Sequence, residues 1–177
     1  GRLQGGGLEL LLLVGTKCLE PLLVRDALVS TADLEGEAFR AYNTATERLA
    51  QLMGAVPTQI ETGDIPTAFS TGRADAMITS PSTGVSSQAW DFVSNYTELQ
   101  AWLPKNMVIV NTRALDALSD ETKAALMEAA AAAETRGWDM SKAETADKLA
   151  ELEANGMTVS DPSDTLLEEL AAIGTRS

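Results

Sequence analysis

A chain of 177 residues has room for one generous domain or two small ones. Its 26 acidic residues against 13 basic ones give a formal charge of −13, which argues against nucleic acid and anionic membrane surfaces as partners. One cysteine, Cys18, and no histidine rule out a disulfide framework, a Cys/His zinc site and Ser–His or Cys–His catalysis.

The opening "GRLQGGG" lacks the basic, apolar, small-residue order of a secretory leader, and no apolar run is long enough to span a bilayer. "LELLLLV" (8–14) reads as a strand buried on both faces. Residues 21–29 are apolar but mixed and fit either a strand or an irregular connection. "STADLEG" (30–36) is a capped helical turn, with Ser30 or Thr31 as cap and Gly36 as exit, and "AFRAY" follows as a strand. Thr44 and Glu47 have capping-box spacing before a helix whose apolar face is Ala45, Leu49, Leu52 and Met53 and whose end is Gly54.

"VPTQI" (56–60) is the next strand. Asp64 is placed to cap a short helix that turns Ile65, Ala68 and Phe69 inward and closes at Gly72. "DAMIT" (75–79) is a strand, "SPSTG" a loop, 85–94 a third helix and "NMVIVN" (106–111) a β-rich strand. From Ser119 an alanine-rich helical stretch runs to Gly156, with Gly137 marking a bend, and a short strand "MTV" and a helix over 164–173 complete the chain. Strand–helix alternation with short connections predicts an α/β fold with a mostly parallel, doubly wound sheet. Ligand crevices in such sheets lie beyond the carboxyl ends of the strands.

Arg40 stands at one of those ends, with Asn43 opening the helix that follows. A guanidinium fork there suits a carboxylate, because paired N–H donors fix its orientation as well as its charge. The competing assignment is an internal salt bridge to Glu35, Glu37 or Asp64, or a solvated strand end. In "AMITSPSTG" one hydroxyl, Ser82 or Thr83, is accounted for as a helix cap, which leaves Thr79 and Ser80 as candidate donors to an anion. Trp90 falls at core spacing, whereas Trp102 in the polar connection "QAWLPKN" is the better pocket wall. Glu61 and Asp64 are too few for a metal site, and no cofactor is indicated.

Three blocks, "ADLEGEAFRAYN", "MGAVPTQIETGDIPTAFSTGRADAMITSPSTG" and "MVIVNTRALDALSDETKAAL", together resemble the solute-binding proteins of tripartite ATP-independent periplasmic (TRAP) transporters, the DctP-like family. The resemblance covers roughly residues 8–170. It implies a non-enzymatic periplasmic receptor of two α/β lobes, capturing a small organic carboxylate and delivering it to TRAP permease membrane subunits. The family's carboxylate-binding arginine falls on Arg40, with further contacts on Asn43, near Thr62, on Thr79 or Ser80 and on Asn106. Residues 8–104 with 145–177 would form the second lobe, and 105–144 a strand and long helix returning to a first lobe largely absent from this chain. With one cleft wall absent, the isolated chain would bind weakly or not at all.

The chain departs from the family in three places. Glu37–Ala38 stands where "DLKGLKFR" is usual, and "ADA" (74–76) replaces "VDG". "VGTKCLEPLL" matches poorly where Lys17 is the nominal second cationic contact. The alternatives to a transport receptor are a ligand-sensing or interaction α/β domain and a carboxylate-dependent enzyme on the same sheet.

Overall fold

A computed structural model describes residues 8–15, 21–99 and 105–174. These fall into two compact units, one built from 1–18 and 103–145, the other from 19–102 and 146–177.

The first unit is a two-stranded antiparallel ribbon with helices. Strand β1 (Leu8–Gly15) pairs with a late strand, Lys105–Asn111, from Leu8↔Asn111 to Gly15↔Lys105, with a register irregularity between Leu10 and Leu12. Residues 8–15 therefore leave the sheet with which the sequence grouping placed them, because their partner lies about a hundred residues away and no local pattern encodes it. Burial on both faces does not extend to the strand's first residue. Leu8 is exposed, as are the successive residues Met107, Val108 and Ile109 of the partner strand. A helix over Thr112–Asp116 follows directly, its first N–H groups capped by Asn111 Oδ1, which accepts from Arg113 (3.0 Å) and Ala114 (3.3 Å). The long helix spans Asp120–Ala154 and continues unbroken through Gly137; its residues up to 145 belong to this unit. None of the described helices is long and apolar enough to cross a membrane.

The second unit holds a six-stranded sheet. In chain order its strands are β2 (Leu22–Val24), β3 (Ala38–Ala41), β4 (Val56–Gln59), β5 (Ala76–Ile78), β6 (Asn95–Thr97) and, after the ribbon strand β7 (Lys105–Asn111), β8 (Thr158–Ser160). The spatial order is β4-β3-β5-β2-β6-β8. β2 runs antiparallel to both neighbours and the other pairings are parallel, so all strands but β2 share one direction.

Helices cover both faces, as period-2 alternation requires of a sheet apolar on each side. One face buries Leu22, Val24, Phe39, Ala76 and Ile78 beneath α1 (Thr44–Leu52) and α6 (Asp164–Gly174). The other buries Leu23, Met77 and Tyr96 beneath Ile65, Ala68 and Phe69 of α2 (Ile65–Ser70) and Leu152 at the end of the long helix, α5. A short α3 (Pro81–Ser86) packs closely enough that a Cβ on Gly84 would meet Leu23 at 3.4 Å and Leu152 at 3.6 Å.

Three helix boundaries differ from expectation. Asn43, not Thr44, caps α1: its Oδ1 accepts from Thr46 N–H at 2.8 Å, and Thr46 replaces Glu47 as the reciprocal partner. Asp64 makes no side-chain cap on α2, because the preceding Thr62–Asp64 turn is already a 3-10 helix that leads into it. The third helix begins at Pro81 rather than 85, since Ser80 caps it, and ends by Ser86, ahead of a left-handed Gln88 (φ 52°).

The "STADLEG" turn is a 3-10 helix over Thr31–Leu34, with Gly36 at φ 78° beyond its end. Asp33 Oδ2 accepts from the N–H groups of Ser30 (2.9 Å) and Val29 (2.8 Å), and these bonds hold its carboxyl below the ordinary value. A lowered folded-state pKa gives stability that is complete above the unfolded value and lost as pH falls through the folded one. Asp33→Asn is expected to flatten the acid side of the stability profile, below about pH 4, measured as denaturant midpoint against pH. A profile unchanged in shape would remove this turn from the acid response.

Candidate functional site

Strands β4, β3 and β5 are adjacent and parallel, so the segments leaving their carboxyl ends meet at one sheet edge. Those segments are Ile60–Thr62 after β4, Tyr42–Asn43 after β3 and Thr79–Ser80 after β5. This juxtaposition is the candidate site.

Arg40 belongs to a transverse row formed by the strand registers: Thr58, Arg40, Met77, Leu23, Tyr96 and Val159. Most of that row is apolar, and Arg40 is itself only 2% exposed. Desolvating a guanidinium costs several kcal/mol unless polar groups replace the water. Its Nε–H donates to the Ile60 carbonyl at 3.0 Å and its Nη2 to Thr62 Oγ1 at 3.4 Å. Its Cζ lies 5.1 Å from the centroid of the Tyr42 ring. A carbonyl, a hydroxyl and a ring face are among the groups that orient the head. Thr62 is exposed, so the fork approaches the surface at that turn. Glu35, Glu37 and Asp64, the carboxylates of the competing assignment, are all exposed.

The other predicted residues divide clearly. Thr62 is brought to Arg40. Thr79 is 4% exposed, and its N–H donates to the Pro21 carbonyl at 3.3 Å. The side-chain oxygens of Asn43 and Ser80 serve the helices they begin: Ser80 Oγ accepts from Thr83 N–H at 3.2 Å and donates to Thr83 Oγ1 at 3.1 Å. Trp90 packs against the α2-side core, as its spacing predicted. Asn106 lies exposed on β7, in the other unit. Trp102 and Lys17 fall outside the described residues. Among the described residues no cluster of carboxylate or thiol ligands could hold a metal.

Tyr42 and the Ile60 carbonyl were not singled out in the sequence. The signal for Tyr42 was an aromatic two residues from a strand-end arginine. The Ile60 carbonyl carried none, being backbone brought in by strand pairing.

A cavity of about 110 Å³ lies elsewhere, lined by Arg25, Asp26, Asp33, Glu37 and Asp75 among others. Glu37 and Asp75 precede β3 and β5, and Arg25 follows the antiparallel β2, so this cavity sits at the opposite sheet edge from the Arg40 fork.

The family model for bacterial extracellular solute-binding protein, family 7 (DctP), matches residues 24–175. A Bordetella pertussis extracytoplasmic solute receptor binding pyroglutamic acid, DctP7, is 43% identical over 96% of this chain and 56% of its own, with a TM-score of 0.84. A marine metagenome TRAP solute-binding protein specific for pyroglutamate is 35% identical over 96% of this chain and 56% of its own (TM-score 0.82). A second B. pertussis receptor binding pyroglutamic acid, DctP6, is 33% identical over the same shares (TM-score 0.86). No curated protein matches. The chain spans little more than half the length of these relatives. With the matched region enclosing the whole Arg40 edge, the chain belongs to the DctP family of bacterial extracellular solute-binding proteins.

Proposed function

We propose that this chain carries the carboxylate-recognition wall of an extracytoplasmic receptor, which captures a small organic acid and hands it, chemically unchanged, to TRAP permease subunits. The observation that carries the reading is Arg40, buried at a strand end and bonded to the Ile60 carbonyl and Thr62 at a polar sheet edge. In this reading Arg40 forms the charge-assisted pair, and Thr62, Thr79, Asn43 and Ser80 supply polar surroundings. Trp102 and Asn106 are further candidate contacts on the ground of the sequence alone. The sheet unit would be one lobe, with residues 105–144 reaching to another. Pyroglutamate is the first ligand to test, because three relatives at 33–43% identity are described by it.

The test is a thermal-shift titration extended to tens of millimolar ligand, each acid paired with its neutral amide. Binding to the native state stabilises by about 2.7 kcal/mol at a hundredfold excess over Kd. For a chain this size that is roughly 5–10 °C. Pyroglutamate is expected to raise the midpoint and its amide to leave it unmoved. Equal responses to acid and amide across small monocarboxylates would overturn the carboxylate reading. Recovery of an altered ligand after long incubation would overturn the transport reading.

A further inference from the structure

Beyond the arginine itself, the junction between β3 and α1 is built to hold its plane. β3 ends at Ala41, and the chain turns at Tyr42. The half-buried Tyr42 ring packs against the apolar cluster that includes Ala50 and Met53, and also lies 5.1 Å from Arg40 Cζ. That separation is within the roughly 6 Å range of cation–π attraction. The ring is thus braced by apolar side chains while meeting the guanidinium.

Its backbone is fixed as well. Thr46 is 0% exposed, and its Oγ1 accepts from the N–H groups of Tyr42 (3.1 Å) and Asn43 (3.2 Å). The same hydroxyl lies 3.0 Å from the Asn43 carbonyl, to which it donates. One buried hydroxyl therefore locks the turn that carries the ring.

A planar cation is oriented by one in-plane bond and one face contact. The Nε–H bond to Ile60 supplies the first and the Tyr42 ring the second. We propose that Tyr42 is a positioning residue, whose ring face sets the plane in which Arg40 presents its fork, with Thr46 as the latch behind it. The consequence for ligand affinity rests on the receptor reading above; the positioning of Arg40 does not. What matters is the ring face, not the hydroxyl, so phenylalanine should substitute and leucine should not.

The experiment is side-chain NMR of Arg40 Nε–H, assigned by its loss in Arg40→Lys, with a parallel titration by pyroglutamate. The wild type and Tyr42→Phe are expected to show an upfield, ring-shifted and slowly exchanging Nε–H. Tyr42→Leu is expected to move it toward its free-arginine position, speed its exchange at least tenfold and weaken pyroglutamate binding several-fold, with Phe restoring all three. A ring-shifted Nε–H in a wild type that responds equally to pyroglutamate and its amide would support the positioning role while removing the receptor reading. An unshifted wild-type Nε–H, or one indifferent to Tyr42→Leu, would overturn the proposal. The wild-type spectrum decides by itself if the leucine variant fails to fold.

Discussion

Replacing Arg40 with lysine is expected to weaken pyroglutamate binding by roughly ten- to 150-fold while the protein remains folded. A hydrogen bond to a charged group contributes about 1.5–3 kcal/mol, which is that range of affinity. Lysine keeps the charge but loses the planar fork and the Nε–H that anchors it to the Ile60 carbonyl. Its ammonium would have to find that carbonyl and the ligand with the same three donors. Calorimetry on both variants, with circular dichroism to verify the fold, measures the effect. Equal affinities would take Arg40 out of the site.

The largest stability effect is expected at Phe69→Ala, a loss of about 3–5 kcal/mol. Phe69 is fully buried, its ring centroid 4.8 Å from that of Phe92, in the cluster formed with Ile65, Ala68 and Met77. Removing the ring leaves a cavity beneath α2 that rigid strands on one side cannot fill. Urea denaturation should show the midpoint falling with little change in slope. A loss below about 1 kcal/mol would mean that α2 collapses onto the sheet and that this face is less firmly packed than its burial indicates. Because α2 follows directly from the Thr62–Asp64 turn, the variant also tests whether the Thr62 contact to Arg40 depends on that packing.

Much of the sheet unit was legible because its elements announce themselves locally. Gly36, Gly54 and Gly72, predicted as exits, all take positive φ, and Ile65, Ala68 and Phe69 all turn inward. What escaped was set at long range. β2 is three residues in an apolar but unpatterned stretch, and becomes a strand only because β5 and β6 flank it. β6, "NYT", was not anticipated at all: Tyr96 packs inward, but three residues are too short to display an alternation. The helix over Thr112–Asp116 was missed for the same brevity. At the site, Arg40 was visible as a charge out of place in an apolar run. The groups that orient it arrive from β4 and from the turn after β3, so neither Ile60 nor Tyr42 could be assigned before the strands were paired. Asn43 and Ser80 show the converse. Residues of the right type at the right end of a strand proved to be helix caps, a role that polar residues fill far more often than ligand contact.

The sheet unit draws its first strand from residues 22–24 and its closing pieces from the far end of the chain. Leu152 and Met157 complete one apolar face, Leu166 and Ile173 the other, and β8 supplies the edge beside β6. Glu169 of α6 then accepts from the N–H and hydroxyl of Thr31, at 2.7 and 2.8 Å, and so fastens α6 to the turn that precedes β3. During synthesis these pieces leave the ribosome long after the strands they cover. A nascent chain stopped at residue 145 would have both sheet faces only partly covered, by α1 on one side and α2 on the other, a species that holdase chaperones recognise and that aggregates when left alone. Folding of this unit therefore cannot be completed until α6 has left the ribosome.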